Sequence, residues 1–85
     1  MVVVYTLARV KPHKDREVYD KMRSLPPVKE IVTVYGEYDL IAKLELDSLE
    51  ALDDFIFNTI RAIEGVEATM TLISAKPQAN AKPRF

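Results

Sequence analysis

Residues 40–46 alternate strictly. Leu40, Ala42, Leu44 and Leu46 fall on one side of an extended chain, and Lys43 and Glu45 on the other. That period of two predicts a strand with one buried face. Residues 2–10 are rich in β-branched and aromatic side chains and predict a first strand, which Pro12 stops. Residues 13–24 are polar and charged, with Val18, Met22 and Leu25 at helical spacing. This spacing predicts an amphipathic helix with a narrow apolar stripe. Asp15 and Glu17 lie early in it and Lys21 and Arg23 late, as the helix dipole favours, and Pro26-Pro27 forbids its continuation.

A second strand is predicted over 28–35, followed by a turn over 36–39 in which Gly36 supplies a positive φ if the turn demands one. This turn joins the second strand to the alternating third one as a hairpin. A second helix opens at Asp47-Ser48. Asp47 with Glu50 fits a capping box, and Ser48 is the alternative N-cap. Leu49, Leu52, Phe55, Ile56, Ile60 and Ile63 form its apolar stripe, and Gly65 suits the position just past its end. Residues 66–75 predict a fourth strand. The domain is expected to occupy residues 1–76, and residues 77–85, with prolines and basic side chains, to form a C-terminal tail.

The order β-α-β-β-α-β is two split β-α-β units. Right-handed crossovers then set the first and third strands in the middle of one antiparallel sheet, with both helices on one face. The expected fold class is α+β, a ferredoxin-like plait. Val3, Tyr5 and Leu7, then Ile31, Thr33 and Tyr35, then Ile41, then Thr69, Thr71 and Ile73 are assigned to the face away from the helices. That surface is more apolar than an exposed sheet needs. A second sheet packed against it would bury it, and a two-fold homodimer does so with one self-complementary patch, giving a dimeric α+β barrel-type assembly.

Size and charge narrow the classes. A chain of 85 residues makes one domain. It has no cysteine, so packing or oligomerisation must stabilise it. A net charge of -1 offers no basic field for nucleic acid. No apolar run reaches membrane-spanning length, and residues 1–4 lack a basic region before them or a cleavage site after them. A cytoplasmic location is expected.

Catalytic chemistry is poorly represented. His13 is the sole histidine, placed at a helix start. No His/Cys cluster is spaced to hold a metal, so neither metal nor cofactor is expected. Ser24, Ser48 and Ser74 occupy a helix end, a cap and a strand, and the two glycines are too far apart for a phosphate loop. Tyr5 and Tyr35 on a plait sheet suggest base stacking, but Lys76, Lys82 and Arg84 are too sparse to contact a phosphate backbone. The hairpin turn is the best candidate. A free amino acid presents a carboxylate and an ammonium, and needs amide or hydroxyl donors near one and a carboxylate near the other. Gly36 permits close backbone approach, Asp39 accepts from an ammonium, and Thr69 and Thr71 offer hydroxyls on one side of a strand. Tyr35 and Tyr38 can wall an apolar pocket. The same residues also suit plain turn and strand roles.

Tyr35-Gly36-Glu37-Tyr38-Asp39 with its flanking strands, Leu25-Pro26, and the run from Gly65-Val66 through Thr69-Met70-Thr71 together resemble the effector-binding half of the Lrp/AsnC family of transcription regulators, the RAM domain. The resemblance runs nearly from end to end. It implies an effector site between dimers in an octameric or similar ring, lined by a Gly-x-x-Asp hairpin and a Thr-x-Thr strand. Carried over residue by residue, the site is Tyr35, Gly36, Asp39, Thr69 and Thr71, with no catalytic residue. The family's helix-turn-helix is not seen, because the first strand begins at residue 2, so direct operator binding is not expected. Met1 favours a native stand-alone RAM protein over a piece of a longer regulator. Such a protein co-assembles with full-length Lrp/AsnC regulators or senses metabolites by itself. The resemblance thus implies an effector-binding and oligomerisation module that binds an amino acid or related metabolite and regulates transcription indirectly. Two alternatives stand beside it. One is a small dimeric α+β-barrel enzyme, monooxygenase- or isomerase-like, with a cavity between sheet and helices. The other is a purely structural assembly module.

Overall fold

Strands β1 (Val2–Val10) and β3 (Leu40–Leu46) are the most regular apolar runs, and they form the centre of the sheet. A computed structural model describes residues 1–75. The strand order is β2-β3-β1-β4, with β2 (Val28–Thr33) and β4 (Val66–Ile73) at the edges and every pairing antiparallel. Helices α1 (Asp15–Arg23) and α2 (Leu49–Phe55) complete the β-α-β-β-α-β order of a ferredoxin-like plait. The expected tail, 77–85, lies outside the described residues.

The core lies between the helices and one face of the sheet. Val4, Ala8 and Val10 from β1 and Leu40, Ala42 and Leu44 from β3 meet Val18 and Met22 of α1, with Leu52, Ile60 and Ile63 closing the far side. These are the helix-facing positions that the alternation in β3 predicts. Thr6 is the one fully buried polar side chain of this layer among the described residues. Its hydroxyl lies 3.4 Å from that of Thr71 on the neighbouring strand, so it is not left without a partner.

Both helices begin later than the sequence pattern suggests. His13 adopts φ 70°, which ends any helical path through it, and α1 starts at Asp15. Its N-terminus has no side-chain cap, but Asp15 and Glu17 in the first turn and Lys21 and Arg23 in the last complement the dipole. In α2 the cap is Ser48, whose hydroxyl accepts from the Ala51 amide at 3.0 Å, rather than Asp47. Leu49 from the expected stripe is exposed. The helix then widens into a π-helical turn, Ile56–Ile60, in which the Arg61 amide donates to the Ile56 carbonyl at 2.9 Å. Gly65 does not cap the helix directly. It lies in the following turn, closed by the Val66 amide bonding the Ile63 carbonyl at 3.2 Å. It has φ +104°, and a Cβ there would lie 2.9 Å from Lys14 Cβ, so the missing side chain lets this turn pack on the start of α1.

The sheet corrects the expected outer face in two places. A β-bulge between Val28 and Glu30 adds a residue to β2, which turns Ile31 towards the helices beside Ala42 and Val32 outward beside Ile41. In β4, Thr69 pairs with Ala8, Thr71 with Thr6 and Ile73 with Val4, so all three lie on the helix side. Met70 and Leu72 face outward instead, beside Leu7 and Tyr5. The strands β2 and β4 each end two residues earlier than expected. The corrected outer face is more apolar, not less. Val32, Ile41, Leu7 and Met70 form an unbroken apolar row across all four strands. The adjoining row runs Glu30, Lys43, Tyr5 and Leu72.

Candidate functional site: the β2–β3 hairpin

The hairpin loop begins where Val34 pairs with Asp39, the Val34 amide donating to the Asp39 carbonyl at 2.9 Å. Gly36 has φ +133°, a conformation that L side chains rarely adopt, and nothing lies within 4 Å of where its Cβ would be. The loop backbone is therefore open to close approach at this point. Tyr35 is fully solvent-exposed.

Asp39 ties the loop to β1 twice. Its amide donates to the Ala8 carbonyl at 2.9 Å, and its Oδ2 accepts from the Val10 amide at 2.8 Å. The second bond has a clear cause. The β1–β3 ladder ends at Ala8 opposite Leu40, and the backbone of β3 has already turned into the loop when Val10 needs a partner. The carboxylate takes the place of the missing carbonyl. A bulge in the β1–β4 register between Arg9 and Val10 bends the strand at the same level.

Arg9 fixes the loop from the outer face. Its Nε donates to the Glu37 carbonyl at 3.2 Å, its Nη2 lies 3.4 Å from Glu37 Oε1, and its guanidinium carbon lies 5.5 Å from the centre of the Tyr38 ring. The sequence reading did not single out Arg9. Its one signal in the sequence is that it is the sole charged side chain of β1.

Thr69 and Thr71 are not on this loop. They lie on edge strand β4, with β1 between them and the hairpin strand. Leu40, Ala8 and Thr69 share one row, so two strand spacings, about 10 Å, separate the backbone of Thr69 from the base of the hairpin. Thr69 lines a concavity of about 400 Å³ whose other walls are Arg61, Val66, Glu67 and Ala68, none of them from the hairpin. The guanidinium of Arg61 there stacks 5.0 Å from the Phe57 ring centre, on the π-helical turn. Tyr35, Gly36 and Asp39 thus share one loop, and Thr69 and Thr71 share one strand face.

The core occupies the middle of the space between sheet and helices, and at its edge an open groove of about 370 Å³ lies between Thr33 of β2 and Asp15, Arg16, Tyr19, Asp20 and Arg23 of α1; His13 lies exposed outside it. Among the described residues, no helix is long and apolar enough to cross a membrane.

Comparisons with known proteins return transcriptional regulators for the most part, together with a homocitrate synthase of Sulfurisphaera tokodaii that is 36% identical over 56 residues, covering 66% of this chain and 12% of that protein. A family model described as the Lrp/AsnC ligand binding domain matches residues 3–80. The HTH-type transcriptional regulator FL11 of Pyrococcus furiosus is 33% identical over 75 residues, which cover 88% of this chain and 49% of that protein. The chain spans about half the length of the curated regulators it matches in this way. The crystal structure of FFRP-DM1 superposes with a TM-score of 0.86 at 44% identity, covering 88% of this chain and 100% of that one. A transcriptional regulator of Neisseria meningitidis, solved as a complex with L-Met, shares the fold at a TM-score of 0.81 and 18% identity, covering 88% of this chain and 50% of that one.

Proposed function

The chain belongs to the Lrp/AsnC ligand-binding-domain family, and from that premise we propose that it is a non-enzymatic effector-binding and oligomerisation module for an amino acid or related small metabolite. The observation that carries this reading is the clamped hairpin. Gly36 leaves the backbone open, while Asp39 and Arg9 hold the loop on β1 and bring both signs of charge to one end of the sheet. An amino acid is a ligand of that chemistry, and L-Met is the ligand named for the Neisseria regulator of the same fold. The proposed site comprises Tyr35, Gly36 and Asp39, with Thr69 and Thr71. The two threonines sit on the helix side of an edge strand, so an adjoining subunit is the simplest source of their hydroxyls, and the site lies between dimers.

The dimer itself is proposed to form through the outer sheet face. The row Val32, Ile41, Leu7, Met70 offers each protomer an apolar surface that a second sheet would cover, and rings of such dimers, octameric or similar, would bring hairpins together. Ligand then acts by binding one assembly state more tightly than another, which is the only way it can shift the balance. The regulatory output is indirect, through full-length Lrp/AsnC regulators that share the assembly in the cytoplasm, without direct DNA contact by residues 1–76. Isothermal titration calorimetry against each standard L-amino acid tests the binding claim. A saturable heat for at least one of them, lost in Asp39→Asn, supports it; no heat for any of them contradicts it.

A further inference from the structure

Arg9 and Asp39 meet at one end of β1. Asp39 is tied to both neighbours of Arg9 in β1, its amide donating to the Ala8 carbonyl at 2.9 Å and its Oδ2 accepting from the Val10 amide at 2.8 Å. A cation and an anion placed this way usually join. Here they do not. Asp39 spends Oδ2 on the Val10 amide, and Arg9 turns to Glu37 and the Tyr38 ring. The sheet end therefore holds a guanidinium and a carboxylate side by side, each with bonding capacity left over. Val10 uses one oxygen of Asp39, and the other remains for an ammonium. Glu37 takes Nη2 of Arg9 with its carboxylate at 3.4 Å and Nε with its carbonyl at 3.2 Å, so displacing Oε1 frees the Nη1–Nη2 edge to give a carboxylate two parallel bonds.

We infer that Arg9 receives the carboxylate of an α-amino-acid ligand while Asp39 takes its ammonium, and that Glu37 is a built-in competitor which the ligand carboxylate displaces. The inference rests on the proposed reading of the hairpin as the effector site and adds to it a receptor residue and a switch. The magnitudes allow the exchange. The Arg9 and Glu37 side chains are 43% and 78% exposed, and an exposed pair of this kind holds by no more than about a factor of five. A bidentate charge-assisted contact at the same guanidinium outweighs it. The Tyr38 face beneath the guanidinium keeps its plane fixed during the exchange. Releasing the Glu37 carboxylate loosens the loop tip, while the Arg9 Nε bond to the Glu37 carbonyl and the Asp39 bonds to β1 keep the hairpin base in place.

The test is calorimetric titration of the full chain and of its Arg9→Gln and Glu37→Gln variants with the standard L-amino acids and with their α-amides, which keep the ammonium but lack the carboxylate. The inference expects Arg9→Gln to weaken the binding amino acid by more than tenfold and Glu37→Gln to tighten it by about two- to fivefold. It also expects the preference for acid over amide to vanish in Arg9→Gln, which a merely structural role would not produce. Wild-type affinity in both variants, or a Glu37→Gln variant no tighter than wild type, overturns the exchange while leaving the proposed effector site standing. No binding of any amino acid by the unaltered chain overturns both.

Discussion

The carboxylate of Asp39 accepts a hydrogen bond from the Val10 amide at 2.8 Å, joining residues 29 positions apart. This bond gives Asp39 a structural duty besides any ligand duty, and the two can be separated. Asp39→Ala leaves the Val10 amide without its partner and costs about 1–3 kcal/mol. Asp39→Asn keeps an acceptor oxygen for Val10 and costs less than about 1 kcal/mol, yet removes the charge that an ammonium requires. Chemical denaturation should rank the variants in that order, while calorimetry should find amino-acid binding lost in both. Full binding by Asp39→Asn would remove the Asp39 charge from the site.

The outer sheet face makes a prediction about assembly. Leu72 is 52% exposed in the protomer and lies beside Tyr5. Leu72→Glu should therefore change the stability of the protomer by no more than about 0.5 kcal/mol. If a second sheet covers this face, the same change buries an unpaired carboxylate and raises the dimer dissociation constant by about a hundredfold or more. Sedimentation equilibrium reads the difference directly. An unchanged association state would move the interface elsewhere.

The two glycines should respond unequally to alanine. Both hold positive φ, but a Cβ at Gly36 meets nothing within 4 Å, whereas one at Gly65 meets Lys14 Cβ at 2.9 Å and Val18 Cγ2 at 3.0 Å. Gly36→Ala should cost about 1–2 kcal/mol from backbone strain alone. Gly65→Ala should cost about 2–4 kcal/mol, because Val18 is fully buried and cannot give way freely. Urea unfolding of both variants checks the ranking.

Thr69 and Thr71 differ in what else depends on them. If the proposed site includes their hydroxyls, replacing either by valine should lower amino-acid affinity about two- to tenfold. Thr71→Val also deprives the fully buried Thr6 hydroxyl of its neighbour and should lower stability by about 1 kcal/mol, whereas Thr69→Val should not. Calorimetry paired with thermal unfolding separates the two effects.

Particular residues explain which parts of this fold were legible in the sequence. The alternation of Leu40, Ala42 and Leu44 reads cleanly because one face of β3 meets the core and the other carries Lys43 and Glu45. The same logic misassigns β2, because a bulge between Val28 and Glu30 shifts its phase, and periodicity carries no mark of an extra residue. It also misassigns β4. There the helix-facing positions are Thr69 and Thr71, and the outward ones are Met70 and Leu72, the reverse of what burial in a lone protomer would favour. A strand whose outer face is as apolar as its inner one has no readable phase.

The candidate site was legible only in its local parts. Gly36 and Asp39 stand out as turn residues within a short segment. The bond from Val10 to Asp39 and the contacts of Arg9 with Glu37 and Tyr38 depend on the register between distant strands, which the sequence does not spell out. The π-helical turn that carries Phe57 beside Arg61 is likewise silent in the apolar pattern.

Native mass spectrometry of the protein, with and without a mixture of the standard L-amino acids, tests the sensing claim most directly. The account predicts a dimer that shifts towards a ring of dimers, or away from one, on addition of the mixture, with the mass of one amino acid retained per site. A plain dimer of unchanged mass and distribution in the presence of every amino acid would contradict it.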